Sequence, residues 1–524
     1  MDKDITGAGA AAPARATRRE WLGLAVIALP CVLYSMDLTV MNLAVPHISA
    51  DLKPTGAQLL WMVDIYGFMI AGLLVTMGTL GDRIGRRRLL LIGALAFGAA
   101  SVLAAFSTSA EMLIATRALL GIAGATLAPS TLSLIRNMFL DPGQRTVAIG
   151  VWITSYSVGG AIGPLIGGAL LEHFWWGSVF LVSVPVMVLL LVLGPVLLPE
   201  YKDPQAGRLD LPSAAQSLAA VLAVIYGLKR IAEGGVDTVS LVCVAAGVAM
   251  GMAFVRRQRR LASPLIDLAL FRVPAFSAAL AINICCFFGA FGAFLFIAQY
   301  LQLVVGLSPL QAGLWTVPSG LGFIAGSMMA PQVVRHVSVR RTVTAALLLA
   351  ALGFGVLSQV GGPHALAILV LGSVIFSLGL APVATLSTDL IVGSAPPERA
   401  GAAAALSETG SEFGGALGIA VLGSIVTAVY RHAMADNVLE GVAPAAAQAA
   451  RSTLGGAVAV AEEIGGSTGS SLLEAARAAY GQSFQMVVGI SGLLLVATAV
   501  LAGLMLKQGR AGGGSSLQPE NIET

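Results

Sequence analysis

Residues 89–106 and 180–198 are almost continuously apolar, and twelve further runs of the same kind are spread along the chain. Runs of about 20 apolar residues span the roughly 30 Å hydrocarbon core of a bilayer as helices. Lipid offers the backbone no water, so only helices or closed barrels cross it. Barrel strands need an alternation that these runs lack. The chain is 57% hydrophobic and 11% charged, with mean hydropathy +0.87, far too apolar for a soluble globule. The expected fold class is an all-α membrane protein.

Fourteen candidate spans follow from apolar runs between polar breaks. The first six are 21–45, 59–77, 89–106, 112–135, 147–171 and 177–198. Two more are 211–228 and 239–254. The last six are 275–305, 310–334, 342–360, 365–392, 400–430 and 484–506. With this count, 23 of the 30 lysines and arginines fall in the tails and in loops on the N-terminal side. Both termini are therefore expected in the cytoplasm of a bacterial cell, with the chain multi-pass in its inner membrane. Residues 1–20 read as a cytoplasmic tail rather than a cleaved leader, because the next apolar segment is long and carries Asp37.

Between the second and third spans lies Gly78-Thr-Leu-Gly-Asp-Arg-Ile-Gly-Arg-Arg-Arg88, too charged for hydrocarbon. A fainter copy, Pro331-Gln-Val-Val-Arg-His-Val-Ser-Val-Arg-Arg341, puts Arg335 where Asp82 stands. Pro142-Gly-Gln-Arg145 is matched by Pro396-Pro-Glu-Arg399, and Gly159-Gly-Ala-Ile-Gly163 by Gly414-Gly-Ala-Leu-Gly418. The three matches share nearly one spacing, roughly 250 residues, as expected of parallel repeats about an axis along the membrane normal. The organisation expected is a tail (1–20), a six-helix half (21–200), an inserted pair (201–262) and the second half. That second half comprises five helices (263–430), an outer loop (431–482), a last helix (483–507) and a tail (508–524).

These motifs resemble those of the major facilitator superfamily. The chain looks like its fourteen-helix drug:proton antiporters, the quaternary-ammonium efflux pumps of the QacA type. The resemblance runs from Trp21 to Leu506. It rests on the charged loop, Met36-Asp-Leu-Thr-Val-Met-Asn-Leu-Ala-Val-Pro46, Leu60-Trp-Met-Val-Asp-Ile-Tyr66, Arg117-Ala-Leu-Leu-Gly-Ile-Ala-Gly124 and Gly163-Pro-Leu-Ile-Gly-Gly168. It implies two six-helix bundles with two inserted linker helices. The function implied is efflux of lipophilic cations such as quaternary ammonium compounds, cationic dyes and biguanides, in exchange for protons.

Ionisable residues within a membrane are costly, which makes Asp37, Asp64, Glu408 and Glu412 the functional candidates. Positions 408 and 412 share one helix face. Taking a carboxyl group out of water favours its protonated form, and a nearby cation favours the ionised one. A proton and a cationic drug then compete for one charge. By resemblance Arg117 pairs with Asp37 as the proton-coupling relay. Asp64, Glu408 and Glu412 are candidates for cation recognition, with Trp61, Tyr66, Trp152, Tyr156, Phe287, Phe288 and Phe291 supplying aromatic faces. Gly163, Pro164, Gly167 and Gly168 give the fifth span a face without side chains, and Pro164 removes one backbone bond. By resemblance that element governs how the halves close, and Asp82 latches one conformation against a helix of the other half. Gly78, Arg83, Gly85 and Arg86 complete this gate. Asp389, near the inner end of its span, reads as interfacial.

The five histidines do not group into a metal site, no Walker loop is present, and basic residues confined to loops give nucleic acid little to bind. No cofactor is expected. The partners expected are lipophilic cations, protons and membrane lipid, acting on a monomer. An exporter dedicated to one antibiotic or secreted metabolite is the nearest alternative. An importer is disfavoured by the helix 5 element, and an enzyme by the lack of any nucleophile.

Overall fold

The computed structural model describes residues 15–506 apart from 53, 55, 203–209, 235, 262–263, 267, 308, 397–399 and 436–443. Residues 1–14 of the first expected tail, Lys507 of the expected last helix and the whole expected tail 508–524 lie outside it. The described chain is helical throughout. α1 (Arg18–Leu52), α2 (Gly56–Ile84), α3 (Arg86–Ala105), α4 (Ala110–Gly124), α5 (Leu127–Met138), α6 (Pro142–His173), α7 (Ser178–Leu181) and α8 (Ser183–Leu197) build the first bundle. α9 (Leu211–Gly234) and α10 (Thr238–Gln258) form the inserted hairpin. α11 (Pro274–Gln299), α12 (Pro309–Val333), α13 (Val339–Leu357), α14 (Ala365–Gly393) and α15 (Ala400–Met434) follow. α16 (Pro444–Ser452), α17 (Leu454–Ile464) and α18 (Gly466–Met505) complete the second bundle.

Proline explains two departures from unbroken spans. A proline offers no N–H to the carbonyl four residues back, and its ring crowds that carbonyl. Pro129 therefore disturbs Ala125, where α4 gives way to α5. Pro185 disturbs Leu181, where α7 gives way to α8. Each pair still forms one membrane-length unit, Ala110–Met138 and Ser178–Leu197.

Among the described residues, 12 helices are long and apolar enough to cross a membrane, and a shorter apolar stretch, Pro212–Leu228, lies in α9. The expected fourteen is thus not reached by that measure. α12 is 25 residues long, but Pro318, Pro331, two glutamines and four glycines dilute its apolar character. The last helix also differs from expectation. It begins at Gly466, and its 40 residues reach about 60 Å at 1.5 Å per residue, twice the hydrocarbon thickness. Its projecting part carries Arg477, which donates to the Leu303 carbonyl at 3.0 Å, and Tyr480, which donates to Gln299 at 2.9 Å. Tyr430 ties α16 down through the Ala450 carbonyl at 2.9 Å. This segment therefore packs on the ends of α11 and α15 and on the π-helical turn Tyr300–Val304.

Two hydrophobic cores organise the molecule, one built from residues 24–198 with Ala384, Val392 and Ala404 of the second half, and one within 278–506. The inserted hairpin packs on α2 and α15 through Phe68, Ala71 and Ile225. Its ends are pinned by charge: Arg230 meets Asp237 at 2.8 Å, and Arg257 meets Asp210 at 2.9 Å. These arginines hold both carboxyl groups below the usual carboxylate range.

Candidate functional site

Small residues bring α1 and α6 together. A Cβ at Gly159 would strike the Val32 carbonyl, and one at Gly167 would come within 2.8 Å of Val40. Gly163 is buried, whereas Gly168 faces open space and the Pro164 ring lies outside the described side chains. The glycine face thus seats α1 within its own bundle, and Asp37 with it.

Arg117 projects from α4 and is fully buried. Its Nη1 donates to Asp37 Oδ2 at 2.5 Å, and its Nε donates to the Met62 carbonyl of α2 at 3.0 Å. Its guanidinium also lies 4.8 Å from the centre of the Tyr66 ring, a cation–π contact. Beside Asp37 a cavity of about 20 Å³ is lined by Met36, Phe180, Ser101 and Ser183. One water needs about 10–15 Å³ and two or more polar partners, so the cavity has room for one against the carboxylate.

From this ion pair a row of aromatic rings runs through the bundle. Tyr66 lies 6.1 Å from Tyr34, Tyr34 lies 5.4 Å from Tyr156, and Tyr156 lies 4.8 Å from Trp152. Trp152 is fixed by donating Nε1 to Thr131 Oγ1 at 2.9 Å. The Tyr34 hydroxyl donates to Glu412 Oε1 at 3.3 Å, joining α1 of one half to α15 of the other. Glu408, one turn before, lies near Tyr34, Tyr156 and Cys31. The two glutamates also feel each other. Asp37, Arg117, Tyr66, Tyr156, Trp152, Glu408 and Glu412 therefore form one connected assembly, with Asp37 and Arg117 inside the first bundle and the α15 glutamates at its face. Tyr34 and Cys31 belong to it as well. Tyr34 precedes Asp37 by one helical turn, a spacing that marks a shared face; Cys31 gives no such signal in the sequence.

Other candidates lie elsewhere. Trp61 is 43% exposed and stacks on Tyr226 of α9 at 6.5 Å, so it faces the inserted hairpin rather than the central row. Phe291 is exposed and crowds Gly415, and Phe288 is half-buried against the second core. Phe287 is the α11 ring that reaches the first bundle's core. The Asp64 side chain lies outside the described residues, though its backbone is helical within α2. Among the described residues no cluster of three or more His, Cys, Asp or Glu side chains is placed to hold a metal.

At the end of α2, Asp82 is buried and ion-paired with the fully buried Arg86 one turn on, inside its own half. Gly85 takes φ +112°, and a Cβ there would lie 2.5 Å from the Glu200 carboxylate, so only glycine fits. Gly78 is buried, and Arg83 is partly exposed. Arg87 donates to the Pro195 and Leu198 carbonyls at 3.0 Å, tying the loop to the end of α8. The halves are joined at this face by a different pair. Arg145 at the start of α6 donates to Asp389 of α14 at 2.9 Å, and the Thr146 hydroxyl donates to the same carboxylate at 2.9 Å. Ser327 of α12 donates to the Gly150 carbonyl at 3.1 Å. Asp389, near the end of α14, is thus also a tie between the bundles.

Residues 27–419 match the Major Facilitator Superfamily family model. The chain is 41% identical over 500 residues to the multidrug efflux pump LfrA of Mycolicibacterium smegmatis, covering 95% of this chain and 99% of that protein. It is 36% identical over 497 residues to the methyl viologen resistance protein SmvA of Salmonella typhimurium, covering 92% and 97%. In structure it is similar to the human organic anion transporter MFSD10, with TM-score 0.57 and 15% identity over 91% of this chain and 100% of that one. The last likeness shows the fold alone. Two bundles joined through α6, α12 and α15, with a polar assembly linking them, accord with these matches: the chain belongs to the Major Facilitator Superfamily, as a multi-pass membrane transporter and not an enzyme.

Proposed function

We propose that the protein is a multidrug efflux pump that exports lipophilic cations, among them quaternary ammonium compounds, cationic dyes and biguanides, in exchange for protons. The observation that carries this reading is the convergence of Asp37, Glu408 and Glu412 on one aromatic-lined row that links the two bundles. The names of two relatives, a multidrug efflux pump and a methyl viologen resistance protein, support it.

The mechanism follows from competition for charge. A deprotonated carboxylate in the row holds an organic cation, helped by ring faces at roughly 0.5–2 kcal/mol each. When the site opens outward, protons arriving at Asp37 and the glutamates cancel that charge and release the cation. When it opens inward, the protons leave and the site is ready again. Arg117 sets when Asp37 gives up its proton, Tyr34 carries the state of the first bundle to Glu412, and Asp64 serves cation recognition. The Arg145–Asp389 tie closes the cytoplasmic end, with the Gly78–Arg88 loop and the α6 glycines supporting it. On this reading α9 and α12 complete fourteen spans, both termini are cytoplasmic and the unit is a monomer.

Moving one elementary charge across 100 mV is worth about 2.3 kcal/mol. Several acids in one site favour at least two protons per cation, so voltage alone should drive uptake of a cation into inside-out vesicles. No movement without a pH gradient means one-for-one exchange. The reading itself is tested by energised ethidium efflux from cells lacking other pumps. It requires efflux that a protonophore abolishes, and efflux indifferent to the protonophore contradicts it.

A further inference from the structure

The charged loop between α2 and α3 and its fainter copy after α12 differ in how their charge is met. In the first, Asp82 pairs with Arg86, and Arg87 donates to carbonyls at the end of α8. In the copy, residues 331–341 carry Arg335, His336, Arg340 and Arg341 and no acid at all. Among the described residues, none of these four side chains makes an ion pair or a hydrogen bond. Arg335 and His336 are exposed on the turn that ends α12. Beside them is a recess of about 440 Å³, lined by Val147 of α6 and by Met328, Gln332, Arg335 and His336. Val147 belongs to one half and the other four to the second, so the recess lies on the seam that the Arg145–Asp389 tie crosses. No described acid lines it, and both Asp389 oxygens are already taken, one by Arg145 and one by Thr146.

We propose that this recess binds the headgroup of an anionic phospholipid, with the phosphodiester held by Arg335 and His336. The lining selects the ligand. A guanidinium, an imidazole and a carboxamide supply donors, and nothing there balances the positive charge. A guanidinium fork matches phosphate and binds it through charge-assisted bonds. Val147 and Met328 add an apolar wall for the glycerol and the first carbons of the acyl chains. The volume falls in the range of small-molecule sites, about 300–1,000 Å³. Basic pockets between transmembrane helices are where anionic headgroups are held. A lipid fits better than a free phosphate because the recess has that apolar wall and stands where a charged loop meets the membrane face. The site is separate from the central row, and its failure would leave the efflux reading untouched.

The test is titration of the purified full chain with phosphatidylglycerol and phosphatidylcholine of matched acyl chains, read by native mass spectrometry. The parent should bind phosphatidylglycerol about tenfold or more tightly than phosphatidylcholine. Arg335→Gln should remove most of that preference. So should Val147→Trp, which fills the recess without changing its charge. Arg88→Gln deletes the same charge from the other loop, where that side chain is also exposed, and should keep the preference. A loss in Arg88→Gln equal to that in Arg335→Gln means diffuse attraction to a basic face and overturns the proposal. A parent without preference overturns it too, as does a preference kept by monodisperse Arg335→Gln or Val147→Trp. Inorganic phosphate and glycerol 1-phosphate form the last arm. Displacement of phosphatidylglycerol by either at equal concentration makes the ligand a soluble phosphate and overturns the lipid; no displacement supports it.

Discussion

The contact between α1 and α6 and the contact between α11 and α15 are built on the same principle, yet they carry different chemistry. In the first, Gly159 admits the Val32 carbonyl; in the second, Gly414 and Gly418 admit the carbonyls of Ile284 and Phe288. On the helix seated by the first contact is Asp37, met by the guanidinium of Arg117. On the helix seated by the second is Asn283, whose amide donates to Ser407 at 3.0 Å and whose oxygen accepts from Ser411. The second half carries its acids on α15 instead, where Glu412 meets the phenol of Tyr34. A duplicated wedge therefore presents charge from the seated helix in one half and from the crossing helix in the other. That offset brings acids from both halves to one place.

Breaking the charged side should have the largest effect. Arg117→Ala leaves Asp37 without its guanidinium partner and should cost about 3–5 kcal/mol in thermal unfolding, whereas Asn283→Ala should cost about 1–3 kcal/mol. Equal losses would remove the asymmetry. Asp37→Asn, which keeps the shape, should leave the protein folded in the membrane but abolish efflux; retained efflux excludes Asp37 from the relay. Next come the wedges. Gly159→Ala and Gly418→Ala should each destabilise by about 1–3 kcal/mol through overpacking, while Gly168→Ala should be silent in the same melts. A smaller effect is expected from Tyr34→Phe, which removes a hydrogen bond to a charged group worth about 1.5–3 kcal/mol at most. It should weaken cation binding severalfold without harming the fold, and unchanged binding would detach Tyr34 from the site. The smallest is Asp389→Asn. Loss of that partly exposed tie, worth about 1 kcal/mol or less, should increase labelling of a cysteine placed at Met328, on the same end of α12 as Ser327.

Much of this was legible before any coordinates. Asp37 and Arg117 stood out because each is an ionisable residue deep in an apolar run, where the cost of burial demands a partner. Glu408 and Glu412 declared their common face by spacing alone. The breaks at Ala125 and Leu181 follow from Pro129 and Pro185, whose effect reaches four residues back. Trp61 was misplaced for a different reason. It shares a helical face with Asp64 by spacing, but the docking face of α9 that claims it leaves no mark in a single sequence. The same holds for Arg145 and Asp389, which meet across 244 residues of chain. Contacts between the bundles depend on tertiary docking, and local pattern does not encode them.

The central claim is that proton and organic cation exclude one another at the acids of the connected assembly. Proton release on adding tetraphenylphosphonium to the purified protein in weakly buffered solution tests it most directly. The account requires at least one proton set free per cation bound near neutral pH, weaker binding as pH falls, and loss of that release in the Glu408→Gln, Glu412→Gln double variant. Cation binding with no proton released at any pH between 5 and 8 would contradict it.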